Sequence, residues 1–310
     1  MPDRLARFAA VLMALSLGGC VSALTDFDER DRVPIPSRLL AEMRSKDMSV
    51  RAPVLVRIFK QESELEVWKE TSSGDYALLK TYPMCRWSGR LGPKTRDGDR
   101  QAPEGFYSVR RGMMNPRSQY HLSFDLGYPN RLEKSRGYTG DLLMVHGACS
   151  SSGCFAITDA SMTEVYAVAR EALDAGQDAV QVQSFPFRMT GENMAAHRDD
   201  PNFGFWENLK EGYDAFEVRR RPPELSVCGG GYRFNADWVR APSDDPLTAC
   251  PARLDTPEAA LLARRSAAAK IMSEIPAGAL RPPLHTLMAA ACTRNSVRCS
   301  RPAVPNASRN

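Results

Sequence analysis

From Pro53 onward, apolar and polar residues alternate in short segments: Val54, Val56 and Ile58 in one, Leu65 and Val67 in the next, then Tyr76 to Tyr82 after a Ser72-Ser73-Gly74-Asp75 turn. A repeat of two is that of a half-buried strand, and turn residues between the segments make them a meander. Further strands are predicted around Phe106–Arg110, Gln119–Phe124 and Leu142–His146, with Val180 and Val182 restoring one later. The run Leu142-Leu143-Met144-Val145 is continuously apolar, as a strand covered on both faces would be. Met162, Val165, Tyr166, Ala169 and Leu173 instead recur at helical spacing, so a helix is expected from a cap at Thr158 or Asp159 to Gly176. Beyond Phe187, Met194, Phe203, Phe205, Trp206, Leu209, Tyr213 and Phe216 form an aromatic-rich, helical-looking extension. Such a set packs a core or walls a substrate groove. A last helix is expected over Thr256–Ser273, followed by a loosely ordered Pro- and Ala-rich tail. The pattern therefore predicts a mainly-β domain with flanking helices and a helical C-terminal extension.

The N-terminus reads differently. Arg4 and Arg7 precede an apolar stretch from Phe8 to Leu17 and then Gly18-Gly19-Cys20, the layout of a signal peptide and too short for a membrane span. Leu17-Gly18-Gly19-Cys20 resembles a bacterial lipobox, which implies lipidation of Cys20; Val21, in place of an Asp retention signal, points to the outer membrane. Residues 20–52 are polar with Pro34 and Pro36, and read as a tether. The chain has 310 residues, 43% of them hydrophobic, enough for one good core with appendages. Its net charge of +4 is spread without a basic stripe carrying interleaved aromatics, which argues against a nucleic-acid partner.

Candidate chemistry concentrates in His146-Gly147-Ala148-Cys149-Ser150-Ser151-Ser152-Gly153-Cys154-Phe155. An imidazole and two thiols lie in what reads as a strand-to-helix loop. A thiol attacks as thiolate, and an imidazolium or a helix N-terminus lowers its pKa. Cys154 is the expected nucleophile and His146 its base, and Gly153 would let the Gly153 and Cys154 amides face a developing oxyanion. Two other readings compete. A cysteine beside a strand is often packed as a small hydrophobe. His146, Cys149 and Cys154 also offer three zinc donors, although His-x2-Cys-x4-Cys is not a usual zinc spacing, so no metal is expected. Among the remaining cysteines, Cys228 with Cys250 and Cys292 with Cys299 are the expected pairs, Cys85 reads as structural, and a Cys149–Cys154 disulfide would be an inactive state.

The same segment resembles the active-site signature of YkuD-type L,D-transpeptidases, and most closely their YafK-like branch, whose His-Gly-x-Cys-x-Ser-x-Gly-Cys-[Tyr/Phe]-Ala-x-Thr-Asp runs unbroken here from His146 to Asp159. Arg57-Ile58-Phe59-Lys60, Ser88 to Lys94, Gln101 to Gly105, Tyr120 to Phe124 and Phe185 to Thr190 are similar to that branch as well, so the resemblance covers about residues 53 to 235. Many YkuD-type enzymes carry a second His before the Gly-Cys and an Arg after it; this chain has Ser152 and Phe155, as the branch does. The resemblance implies a YkuD-type catalytic domain acting through a Cys154 thioester on meso-diaminopimelate of peptidoglycan stem peptides, with His146 oriented by the Gly147 carbonyl. It requires no cofactor. Ser151, Tyr128 and Asn130 are candidates for substrate contact. The implied acceptor is water, which would release a wall-linked outer-membrane protein or peptide; cross-linking is the alternative, and a non-catalytic wall-binding lipoprotein the reading from another class. The expected organisation is a signal peptide (1–19), a tether (20–52), the catalytic domain (53–190), the aromatic extension (191–255) and a helix with tail (256–310), in a lipid-anchored periplasmic protein.

Overall fold

The computed structural model describes residues 29–276 and residue 279 of the protein. Its strands are β1 (Val54–Phe59), β2 (Glu64–Glu70), β3 (Tyr76–Pro83), β4 (Arg86–Trp87), β5 (Gly105–Val109), β6 (Met114–Asn115), β7 (Ser123–Asp125), β8 (Met144–His146), β9 (Phe155–Ala156), β10 (Val180–Phe185), β11 (Leu225–Cys228) and β12 (Gly231–Phe234). Its helices are α1 (Ser37–Ser45), α2 (Arg131–Ser135), α3 (Asp159–Asp174), α4 (Gly191–Ala196), α5 (Phe203–Arg219) and α6 (Ala259–Glu274). The first sheet runs β3-β2-β1-β10-β5 and is antiparallel except for the β1/β10 pair. A second runs β4-β9-β8-β7-β6, with β8 and β9 parallel. These mixed sheets with flanking helices agree with a mainly-β domain.

One core fills the space between the two sheets and α3. Val54, Val56 and Ile58 of β1 meet Phe124, Val145 and Phe155 of the second sheet and Met162, Val165 and Tyr166 of the helix. The helix starts where expected, with the Thr158 hydroxyl accepting from the Ser161 amide, which satisfies one of the otherwise unpaired first-turn donors.

β1 is not half-exposed, however; all six of its residues are buried. Its second face carries Leu55, Arg57 and Phe59, and α5 lies over it with the β11–β12 hairpin. Phe59, Phe106 and Phe185 pack there against Trp206, Leu209, Tyr213 and Phe234. Arg57 becomes tolerable inside because α5 brings Tyr213 and Phe216 to 4.5 and 4.7 Å of its guanidinium and Glu217 to 2.7 Å. The aromatic extension is therefore the roof of the first sheet. As a groove wall it is corrected: the Trp206 indole is fully buried and donates to Glu104 Oε2 at 2.8 Å, and Phe203 and Phe205 pack against the same core.

The tether also differs from expectation. Ile35, Leu39 and Met43 are buried in the first core together with Met48, and Lys46 Nζ donates to the carbonyls of Leu78 and Leu79. The spacing of four between those three apolar residues is the helix signal that a polar average concealed. α6 falls close to the expected last helix, and Arg198 Nη2 caps its end by donating to the Met272 and Ile275 carbonyls at 2.6 and 2.8 Å. The signal peptide, Cys20, Cys292 and Cys299 lie outside the described residues.

Candidate active site

His146 ends β8, and Cys154 directly precedes β9, whose Phe155 pairs with Val145 and Ala156 with His146. The parallel register sets Cys154 level with Met144, two residues short of His146. With side chains alternating across a sheet, the thiol and the imidazole project from the same face. The loop thus joins strand to strand, and α3 begins only at Asp159. Cys154 is consequently not at a helix N-terminus, and that expected source of thiolate stabilisation is absent.

His146 is 2% exposed, and its Nδ1 lies 2.6 Å from the Gly147 carbonyl oxygen. A carbonyl only accepts, so Nδ1 carries the proton and Nε2 of the neutral ring is the basic nitrogen. Gly147 has to be glycine: a Cβ there would meet Asp159 Oδ1 at 2.5 Å and the Tyr120 carbonyl at 3.0 Å. Burial pushes the His146 pKa down, against the smaller opposing effect of the Gly147 carbonyl. Burial likewise pushes the Cys154 thiol up, opposed by the Met144 amide, which donates to Sγ at 3.4 Å. Both shifts favour the uncharged forms, thiol and imidazole. For the thiol this runs against the expected low pKa, because desolvation is the largest cause of its shift.

The loop between them is held from outside. Ala148 and Cys149 adopt φ of +64° and +44°, a left-handed conformation that persists in non-glycine residues only where surroundings enforce it. The Ala148 amide donates to Asp159 Oδ1 at 2.7 Å, and Cys149 is disulfide-bonded to Cys85, 64 residues away in sequence. Cys85 in turn donates its amide to the Ala156 carbonyl at 3.0 Å. Ser151 Oγ donates to the Cys154 carbonyl at 2.6 Å, so this candidate for substrate contact braces the loop. The Gly153 amide donates to Ser88 Oγ, so in this structure it is engaged there and not open toward the expected oxyanion. With φ at +119°, Gly153 still needs to be glycine for the turn into Cys154.

Among known proteins, the chain is 44% identical over 187 residues to the Escherichia coli (strain K12) protein described as "Putative L,D-transpeptidase YafK", covering 60% of this chain and 76% of that one. Its counterpart in Escherichia coli O157:H7 matches to the same extent. The chain belongs to the YafK-like L,D-transpeptidase family. No family model matches it. Among solved structures, the helical cell shape determining protein Pgp2 from Campylobacter jejuni aligns with 20% identity and a TM-score of 0.36, over 61% of this chain and 78% of that one. Bd1075 from Bdellovibrio bacteriovorus aligns with 17% identity and a TM-score of 0.31, over 44% and 49%. Both likenesses are too distant to bear on function.

The remaining sequence-predicted positions of this L,D-transpeptidase family member are placed as follows. Tyr128 is buried and its hydroxyl donates to the Lys94 carbonyl at 3.0 Å. The Asn130 side chain caps α2 through the Glu133 amide and donates to Tyr232 Oη at 2.7 Å. Both side chains are spent on structure. Cys228 pairs with Cys250 as expected, while Cys85 is a disulfide partner and not merely a packed thiol. That bond occupies Cys149, so neither a Cys149–Cys154 disulfide nor the three-donor zinc set can form in this state. Among the described residues Cys154 is the free cysteine, no cluster of three or more His, Cys, Asp or Glu is placed to hold a metal, and no helix is long and apolar enough to cross a membrane. Sequence reasoning missed Ser88 and Tyr120 as site residues; both stand in the segments that resemble the family.

Proposed function

We propose that this chain is a cysteine amidase of the L,D-transpeptidase family that cleaves at meso-diaminopimelate in peptidoglycan stem peptides and passes the acyl group to water. The observation that carries the reading is the His146 Nδ1 bond to the Gly147 carbonyl, which leaves Nε2 as the base on the face that bears Cys154. Cys154 Sγ bonds to the carbonyl carbon as Nε2 takes the thiol proton. The C–N bond then breaks and the amine leaves with that proton, giving a thioester. Water attacks the thioester carbon, Nε2 takes the water proton, and the C–S bond breaks to regenerate the thiol.

Water is preferred over an amine on the branch resemblance, with Ser152 and Phe155 in place of the second His and the Arg of the wider family. Trp206 faces the core, so the aromatic extension does not bear on this choice. Turnover of protein-linked sacculi in oxygen-18 water tests it: label in the released stem carboxylate is expected, whereas unlabelled products joined by new diaminopimelate–diaminopimelate links overturn hydrolysis in favour of cross-linking. The Leu17-Gly18-Gly19-Cys20 run supports a lipid-anchored, periplasmic location at the outer membrane. Cys20→Ser is expected to leave the membrane fraction, and its retention there would remove the anchor from the reading.

A further inference from the structure

Resting on the catalytic reading above, we propose that Tyr120 is a positioning residue whose ring covers the His146 imidazole and, with Leu142, forms the apolar rim across which the methylene chain of the diaminopimelate residue lies. Tyr120 is an exposed large aromatic, at 46%, yet its ring centroid is 4.7 Å from that of the nearly inaccessible His146, with the planes inclined by 35°. One face of the ring therefore shields the imidazole while the other meets solvent. Its backbone is fixed to do so. The Tyr120 carbonyl accepts from the Gly147 amide at 3.0 Å, and the Tyr120 amide donates to Ser118 Oγ at 3.1 Å. His121 follows at φ +70°, with Nε2 2.7 Å from Thr163 Oγ1, which turns the chain and aims the preceding ring back over His146.

Leu142 stands on the thiol side of the dyad. It is 62% exposed at φ +52°, and its carbonyl oxygen is 3.8 Å from Cys154 Sγ. Two exposed residues thus stand beside the pair, Tyr120 with its ring on the imidazole and Leu142 with its carbonyl near the thiol, and left-handed backbone at His121 and at Leu142 fixes their turns. A substrate residue with an aliphatic stem and polar ends suits them: the methylenes gain burial between ring and leucine while the charged ends stay in water.

The cover has a consequence that does not depend on turnover. Burial is the main cause of the lowered His146 pKa, and the titratable and charged groups about the site are His121 on the same turn, Arg30, which donates to the His121 carbonyl, Asp159 at the start of α3, Cys154 itself, and Lys94 and Asp125, which act on the Cys154 thiol. None of these is among the causes of the His146 shift. Removing the ring admits water and lets the imidazole protonate at higher pH.

The test is NMR titration of the full-length chain with 13C-labelled histidine, His146 being assigned by comparison with His146→Gln. His146 is expected to titrate below 6.5. Tyr120→Ala moves it upward, and Tyr120→Phe leaves it in place. Since activity needs neutral His146, the acid limb of kcat/KM rises in the same order, and KM for a stem peptide increases by roughly 2- to 10-fold in Tyr120→Ala, the range of one aromatic packing contact. An unmoved titration in Tyr120→Ala overturns the cover. If the alanine variant loses its fold, Tyr120→Leu and Tyr120→Gln carry the same comparison, with the wild-type titration expected only for leucine. A wild-type chain inactive on peptidoglycan whose titration still responds to Tyr120 refutes the catalytic reading and not the cover.

Discussion

Cys154→Ala is expected to abolish release of stem peptides while leaving the unfolding transition in place, because the side chain is partly exposed and its Sγ contacts are long, 3.4 Å to the Met144 amide and 3.8 Å to the Leu142 carbonyl. Nothing else described can form the thioester. His146→Ala loses turnover for a separate reason, the absence of a base at Nε2. Cys149→Ser is the informative control. It keeps the nucleophile but opens the bond to Cys85, removing a cross-link that closes a long loop and typically contributes about 2–4 kcal/mol. The serine variant should therefore retain activity at low temperature and unfold earlier in urea. Equal inactivity of Cys149→Ser and Cys154→Ala, with both folded, would falsify the assignment of a single nucleophile.

A loss of about 3–5 kcal/mol in unfolding free energy is expected for Glu104→Gln, and similarly for Lys60→Met, since either leaves its buried partner without its counter-charge. The two side chains are wholly buried and 2.8 Å apart. Lys60 Nζ also donates to the Gly92 and Ala102 carbonyls, both at 3.0 Å, while Glu104 accepts from the Gly92 amide at 2.7 Å and the Trp206 indole at 2.8 Å. The pair therefore ties β1, the 88–105 loop and α5 together at one point. Burial drives the Lys60 pKa down and the attraction to Glu104 opposes it. The double variant Lys60→Met/Glu104→Gln should lose clearly less than the sum of the two single losses. Additive losses in urea titrations would show that the two charges do not depend on each other. Activity should fall with stability, because Ala102 donates its amide to the Ser88 carbonyl at 2.9 Å and Ser88 holds Gly153.

The strands of the first sheet and the helix after the catalytic loop were legible because their patterns are local: period two in Val54, Val56 and Ile58, period 3.6 from Met162 to Leu173. The candidate pair could be picked out for the same reason, both members lying within nine residues of one another. What stayed hidden depends on partners distant in the chain. Whether the Gly153 amide is free is decided by Ser88, and whether Cys149 is a thiol is decided by Cys85. Burial too is a property of the packed molecule, and here it acts on both groups toward neutrality. An arginine at position 57 reads as a solvent-facing residue until α5 supplies the rings and the carboxylate that accept it.

The roof over the first sheet bears on what counts as the heritable unit. A boundary drawn after Thr190 keeps every residue of the dyad and its loop, yet it strips α5 and the β11–β12 hairpin from Phe59, Phe106 and Phe185 and leaves Arg57 without Glu217. Such a fragment would present a broad aromatic face around an unpaired cation, a surface that associates with its own copies. Recombination or engineering that treats residues 53–190 as a portable catalytic module would therefore transfer the chemistry without the means to stay folded. The smallest exchangeable piece runs from Ile35, where the chain first enters the core, past Cys250, the disulfide partner of the hairpin's Cys228, to the end of α6, whose Met272 packs on the second core.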